Sequence, residues 1–125
     1  MRLLLDTHVL LWWLTNDPKL SDAAREALAN PEASVFVSPA SVWEIAIKQK
    51  LGRLDAPSDL EDQLRRHRFE ALPITIGHAY SAGSLDRHHD DPFDRMLVAQ
   101  AAAEGLTLVT RDTRFAAYGI QTLPA

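Results

Sequence analysis

The chain alternates short apolar runs with longer segments of helical periodicity, and this alternation limits the possible folds more than any other feature. Because neighbouring parallel strands need a crossover between them, usually a helix, the alternation is typical of an α/β domain. We therefore expect a three-layer α/β/α architecture around a central, mostly parallel sheet of four to five strands. Three runs predict buried strands and two weaker runs are further candidates: 3–5, 35–37 and 106–109, then 71–74 and 120–123.

Capping side chains mark where the helices between these runs begin. Ser38 and Asp91 each precede a proline, which suits the first position of a helix, and Ser58 with Glu61 predicts a capping box. Glycines stand where three of the helices should end. The predicted helices are 7–16, 21–29, 39–51, 58–69, 75–84, 92–104 and 112–117.

Length and composition predict one domain over residues 1–125. The chain is 46% hydrophobic, which is enough for a core without disulfide or metal staples. It contains no cysteine, so a disulfide framework, a thiolate metal site and a cysteine nucleophile are excluded, and a reducing compartment, the cytoplasm, is expected. The longest apolar run, 9–14, is far shorter than the roughly 20 residues that span a bilayer, so we expect no membrane association.

A net charge of −4 is unusual for a protein that binds nucleic acid. This charge argues only weakly against a nucleic-acid partner, because four acids gathered around cations would leave as many acidic as basic residues. Arg65, Arg66 and Arg68 lie close together, and Arg111 and Arg114 flank a candidate site acid. Arginine suits phosphate groups, although the solvated face of a helix explains residues 65–68 equally well.

Two acids follow predicted strands. Asp6 comes directly after the first strand, and Asp112 follows the strand at 106–109. Functional groups gather beyond the carboxyl ends of parallel strands, so these two acids are candidate site residues. Each could instead be an ordinary helix cap or turn residue.

Two further acids lie on predicted helices that are otherwise apolar. Glu44 lies about 40° from the centre of a predicted apolar stripe on its helix, and Asp94 heads a second stripe. Because burial of a lone ionised carboxylate is prohibitive, each needs a counter-charge. Ion pairs with Lys48 or Arg95 are one solution, and a capping role also suits Asp94. The two stripes are Ala40, Trp43, Ile47 and Leu51, then Leu97, Val98 and Ala101.

A single shared cation site is the more economical solution. It would gather the carboxylates of Asp6, Glu44, Asp94 and Asp112, and oxygen ligands suit hard cations such as Mg²⁺ or Mn²⁺ better than zinc. A water activated by the metal could then hydrolyse a phosphodiester without a protein nucleophile. The residue pattern thus predicts metal-dependent hydrolysis, but it does not identify the substrate.

Four segments together are similar to one known family: 3–12 (LLLDTHVLLW), 41–48 (SVWEIAIK), 89–101 (HDDPFDRMLVAQA) and 108–112 (LVTRD). On these segments the chain resembles a PIN domain, specifically a VapC-type toxin of bacterial toxin–antitoxin pairs in the Asp-Thr-His subgroup. The resemblance implies a PIN-like fold and an endoribonuclease that uses Mg²⁺ or Mn²⁺. It also implies an RNA substrate, a homodimer, a cognate antitoxin protein, and a metal site formed by Asp6, Glu44, Asp94 and Asp112.

Several polar residues beside these acids have an open role. His8 stands where many PIN domains have a small polar residue, so its contact with the metal site is undecided. Asp91 could bind a second metal, but we favour a helix cap. We expect Thr110 to support the site by hydrogen bonding, and His88 and His89 to be loop or supporting residues rather than ligands.

Trp12 and Trp13 predict a partner surface. Their helix is apolar nearly all round, so one face is expected to meet a second copy of the chain or an antitoxin. The alternative is a helix buried entirely within its own domain.

Rival functions use similar folds. A receiver-like signalling module expects neighbouring acids after the first strand and a late lysine, but Thr7 and Arg111 occupy those places. A haloacid-dehalogenase-type phosphatase expects a second aspartate at position 8, which is histidine. Within the PIN class, a housekeeping nuclease for RNA processing or repair is the main alternative to a toxin.

Overall fold

Strands and helices alternate along the chain, as the sequence predicts. The computed structural model describes residues 1–125. The strands are β1 (Arg2–Leu5), β2 (Ser34–Val37), β3 (Glu70–Ala71), β4 (Thr107–Thr110) and β5 (Thr122–Pro124). The helices are α1 (Thr7–Leu14), α2 (Asp22–Ala29), α3 (Pro39–Lys50), α4 (Leu60–Arg66), α5 (Ile76–Ser84) and α6 (Pro92–Glu104), with a 3₁₀ helix at Thr113–Tyr118.

All five strands form one parallel sheet in the order β3-β2-β1-β4-β5. Chain order reverses at β1, since β2 lies on one side of it and β4 on the other. Such a switch point leaves a crevice beyond the carboxyl ends of the two central strands. There, the backbone N–H of Asp6 donates to Val109 O at 3.0 Å, so the chain leaves β1 still bonded to β4.

Helices cover both faces of the sheet, which confirms the predicted α/β/α layers. Successive strand residues point to opposite faces, so Leu3 and Leu5 lie in one core and Leu4 lies in the other. The first core includes residues of α1, α2 and α3, such as Leu10 and Ile45. The second includes residues of α6 and the 3₁₀ helix.

Most predicted element positions are confirmed, but the start of one helix and the extent of one strand are wrong. The weaker strand candidate at 71–74 is shorter and earlier in the structure, where β3 covers only Glu70–Ala71. The predicted box of Ser58 and Glu61 does not form, because α4 begins only at Leu60. The residue before it, Asp59, does not cap the helix with its side chain. Its carboxylate instead accepts hydrogen bonds from the side chains of Gln63, at 2.9 Å, and Arg66, at 2.8 Å.

The tryptophan pair of α1 packs within its own chain. Trp12 and Trp13 are partly buried against the first core. The guanidinium of Arg111 lies 4.4 Å from the ring centroid of Trp12, and Trp13 contacts His67 and Phe69. Residues 11–14 nevertheless remain only partly buried, so the helix is not enclosed entirely by its own domain, and the partner surface stays a prediction.

None of the helices has the combination of length and hydropathy that a bilayer-spanning segment requires.

Candidate active site

Asp6 and Thr110 bring the ends of β1 and β4 together. The hydroxyl of Thr110 donates to Oδ2 of Asp6 at 2.7 Å, which is the supporting hydrogen bond expected from the sequence. Asp6 is buried, and this burial raises the pKa of its carboxyl above the usual range even though the hydrogen bond from Thr110 opposes the shift. The buried charge therefore lacks full compensation.

Glu44 is buried, but not for the reason that the sequence suggested. The predicted inward stripe is wrong, because Trp43 is 65% exposed and Leu51 is 60% exposed. The buried residues of α3 are Ala40, Ser41, Glu44 and Ile45, so the inward face is rotated away from Trp43 and Leu51. Glu44 is 3% exposed on this face, where the hydroxyl of Ser41 accepts a 3.0 Å hydrogen bond from Thr7 at the start of α1.

The carboxylate of Glu44 is only half satisfied. Its Oε2 lies 2.6 Å from the ammonium nitrogen of Lys48, the ion pair that the sequence left open. Its Oε1 is buried and has no hydrogen-bond partner. An unpaired buried carboxylate oxygen is costly, so this atom is suited to a ligand that the protein alone does not supply.

The start of α6 places two acids side by side. Asp91 caps the helix, since its Oδ1 accepts the N–H groups of Phe93 at 2.8 Å and Asp94 at 3.1 Å; the favoured capping role is confirmed. Burial and the negative charges of the neighbouring acids, Asp6 foremost, raise the pKa of Asp94 to about 8. The ion pair considered between Asp94 and Arg95 is absent from the structure.

Asp112 is compensated far better than the other acids. Arg114 donates to both its carboxylate oxygens, with the shortest distance 2.7 Å from Nη2 to Oδ2. These hydrogen bonds lower the pKa of Asp112 to about 2. The Asp112 side chain also caps the 3₁₀ helix by accepting the N–H of Arg114 at 2.9 Å.

His89 contributes more to the site than its sequence position indicated. It lies in the loop before α6, in keeping with the expected loop or supporting role, but the residue is only 6% exposed and its ring lies between two acids. Nε2 is 2.9 Å from Oδ2 of Asp94 and 3.2 Å from Oδ2 of Asp112. The sequence feature that could have indicated this role is the position of His89 two residues before the Asp-Pro-Phe-Asp segment. The adjacent His88 is exposed and makes an edge-to-face contact with Tyr118.

All four predicted acids line one open cleft of about 390 Å³ that has no hydrophobic side chain in its walls. Asp91 and His89 line it as well. Positive groups stand among these acids, and His8, whose role the sequence left open, is exposed in the wall. The positive groups are Lys48, Arg111 and Arg114.

A divalent cation fits this cleft on the chemistry of its donors. The free atoms are carboxylate oxygens, which hard cations prefer. Oε1 of Glu44 lacks a partner, and the pKa of Asp94 is raised by burial and by the negative charges of the neighbouring acids. A bound cation would give Oε1 of Glu44 a partner and would stabilise the ionised form of Asp94.

Comparisons with known proteins agree with this architecture. The family model of the PIN domain matches residues 3–121. The chain is 31% identical to Ribonuclease VapC22 of Mycobacterium tuberculosis over 114 residues, which cover 89% of this chain and 87% of that protein. Two solved structures share the fold: VapBC2 from Rickettsia felis bound to a DNA fragment from its promoter (TM-score 0.73, 16% identity) and DNA-bound VapBC from Salmonella typhimurium (TM-score 0.69, 20% identity). Each alignment covers 99% of this chain and 98% of the other. The chain therefore belongs to the PIN domain family.

Proposed function

We propose that this protein is a divalent-metal-dependent endoribonuclease and the toxin of a type II toxin–antitoxin pair. The convergence of the four predicted acids in one polar cleft, with Oε1 of Glu44 left unpaired, is the observation that carries the proposal. The similarity to Ribonuclease VapC22 supports RNA as the substrate. The proposed compartment is the cytoplasm, where a ribonuclease would meet cellular RNA.

In this proposal Asp6, Glu44, Asp94 and Asp112 form the site for Mg²⁺ or Mn²⁺. When bound, the cation supplies Lewis-acid activation of water and neutralises charge on the scissile phosphate. Thr110 orients the carboxylate of Asp6 by a hydrogen bond of 2.7 Å. No serine or cysteine nucleophile is needed.

Positive side chains of the cleft provide binding sites for the backbone of the RNA. Lys48, Arg111 and Arg114 line the same cleft as the acids, so phosphates flanking the scissile bond can be neutralised there. The ammonium of Lys48 is a compact charge that also pairs with Glu44 at 2.6 Å, whereas planar guanidinium groups can make paired hydrogen bonds to a phosphate. These three positive side chains together with one bound divalent cation would balance the five acids that line the cleft, which would allow a polyanion to approach.

A homodimer and an antitoxin protein complete the proposed assembly. The R. felis and S. typhimurium structures are described as VapBC proteins bound to DNA, which supports an antitoxin partner. Large exposed apolar side chains also favour a protein interface, since such groups mark association surfaces. They include Trp43, Ile76 at 91% exposure and Tyr80 at 79% exposure.

Two measurements test the proposed activity and its biological role. Purified protein with Mn²⁺ should cut a single-stranded RNA but not the DNA of matched sequence, and Asp94→Asn should abolish the cutting. Induced expression of the wild type should stop bacterial growth, whereas expression of Asp94→Asn should not. Normal growth with soluble, RNA-cleaving wild-type protein would favour the housekeeping alternative.

A further inference from the structure

The His89 side chain is fixed in place from several directions. Its backbone carbonyl accepts hydrogen bonds from Arg95 at 3.1 Å and Tyr118 at 3.5 Å, and its ring centroid lies 5.6 Å from that of Phe115. Arg95 donates as well to the carbonyls of Leu85 and Asp86 in the same loop. The loop is therefore held so that the buried ring has one orientation relative to the acids.

The hydrogen bonds of the ring assign its proton. The backbone N–H of Asp91 donates to Nδ1 of His89 at 3.2 Å, so Nδ1 carries a lone pair and the proton lies on Nε2. That N–H donates to Oδ2 of Asp112 at 3.2 Å, with Oδ2 of Asp94 2.9 Å from the same nitrogen. His89 thus directs its N–H, and not a lone pair, toward the space between the two acids, with the hydrogen bond made to Asp112.

The position of the His89 proton decides whether His89, Asp94 and Asp112 can together bind a cation. The ligand atoms of His89, Asp94 and Asp112 lie within 4.8 Å of one another, which resembles a cation site. A cation there would need the lone pair of Nε2, and the ring would then carry its proton on Nδ1 against the N–H of Asp91. Two facing donors repel, so the loop opposes coordination by His89.

The acids differ in how much positive charge they still require. Both oxygens of Asp112 accept hydrogen bonds from Arg114, and one also accepts from His89. In contrast, Oε1 of Glu44 is buried without a partner. The unmet demand for a cation is therefore greater at Glu44 than at Asp112.

We propose that the cleft holds a single divalent cation, and that the Nε2–H of His89 occupies the position between Asp94 and Asp112 where a second cation would otherwise bind. This inference rests on the proposed metal-dependent function and specifies its metal stoichiometry. His89 then acts as a positioning residue, which holds the two acids through an N–H that remains on the ring when metal binds.

The test counts Mn²⁺ ions on the full chain without RNA. Binding is followed by the electron paramagnetic resonance signal of free Mn²⁺, and the bound ion is examined for magnetic coupling to an imidazole nitrogen. We expect one ion and no directly bound nitrogen in the wild type. His89→Ala should bind a second ion, whereas His89→Gln, which keeps an N–H donor, should bind one. His88→Gln is the matched control and should equal the wild type.

Two ions in the wild type, or a directly bound imidazole nitrogen, would overturn the inference while leaving the proposed nuclease intact. An unchanged count of one in a folded His89→Ala protein would also overturn it. Failure of the wild type to bind any Mn²⁺ would contradict the proposed function itself. The nitrogen coupling is measured on the wild type, so the inference can fail even where His89→Ala does not fold.

Discussion

Thr110 donates a 2.7 Å hydrogen bond to the carboxylate of Asp6, although the two residues are 104 positions apart in the sequence. The same hydroxyl accepts the backbone N–H of Asp112 at 3.0 Å. One buried side chain at the end of β4 therefore contacts two of the four predicted site acids. Outer groups of this kind set the orientation of metal-binding carboxylates.

Replacement of Thr110 by valine keeps the shape of the side chain but removes both hydrogen bonds. We expect the apparent affinity for Mg²⁺ or the kcat/KM for RNA to fall by roughly 10- to 100-fold, the usual loss for a group that orients a metal ligand. Stability should fall by about 1 kcal/mol, because the part-buried N–H of Asp112 loses its acceptor. Metal titration and thermal unfolding measure the two effects.

Thr107→Val is the matched control for that substitution. Thr107 lies on the same strand, but its hydroxyl donates to the side chain of Gln121 away from the acids. Its replacement should leave metal affinity unchanged. Equal losses in both variants would indicate a general weakening of β4 and not a specific role for Thr110.

Asp94→Asn should stabilise the metal-free protein while it abolishes activity. Burial and the charges of the surrounding acids disfavour the Asp94 carboxylate, and an amide carries no charge. We expect the Tm in excess chelator to rise by at least about 3 °C at neutral to mildly alkaline pH, which corresponds to ~1 kcal/mol for a domain of this size. A lower Tm would show that Asp94 supports the fold through contacts that asparagine cannot replace.

The same carboxyl predicts a pH dependence of stability without metal. The pKa of Asp94 is raised from 3.8 to about 8, so folding favours its protonated form. The resulting stability is complete below the unfolded pKa and is lost as pH rises through the folded pKa. Thermal unfolding in chelator should thus give a Tm that falls between about pH 5 and about pH 8. Asp94→Asn should flatten this decline, and an equally steep profile in the variant would assign it to other groups.

Lys48→Met should weaken RNA binding and reduce its dependence on salt. Loss of one phosphate contact to a single strand lowers the slope of log K against log salt by about 0.7. Fluorescence anisotropy with a short RNA, in an Asp94→Asn background that prevents cleavage, measures this slope. Lys50→Met is the control, because Lys50 is exposed on the same helix and does not line the cleft. Identical slopes in the two variants would remove Lys48 from the binding surface.

Local patterns in the sequence were sufficient to predict the layers of the fold. The apolar runs before Asp6 and before Thr110 predict the central strands, because only buried parallel strands need such continuous runs. Asp91 before a proline predicts the start of α6. These signals depend on neighbouring residues alone, which explains why a single sequence contains them.

The surroundings of the site could not be predicted in the same way, because they depend on packing between distant elements. The stripe of Trp43, Ile47 and Leu51 has the periodicity of a core face, yet Ser41, Glu44 and Ile45 are the residues that α3 buries. The position of His89 between two acids likewise requires the loop that Arg95 holds. Neither the burial of Glu44 nor the position of His89 is marked by a regular spacing of residues along the chain.

The most direct test of the proposed function is RNA cleavage by the purified protein as the metal is removed and restored. We expect no cleavage in excess chelator, recovery when Mg²⁺ or Mn²⁺ is added, and no activity at any metal concentration in folded Asp6→Asn and Asp94→Asn variants. Full cleavage in chelator, or wild-type activity in either variant, would contradict a metal-dependent nuclease built on these carboxylates.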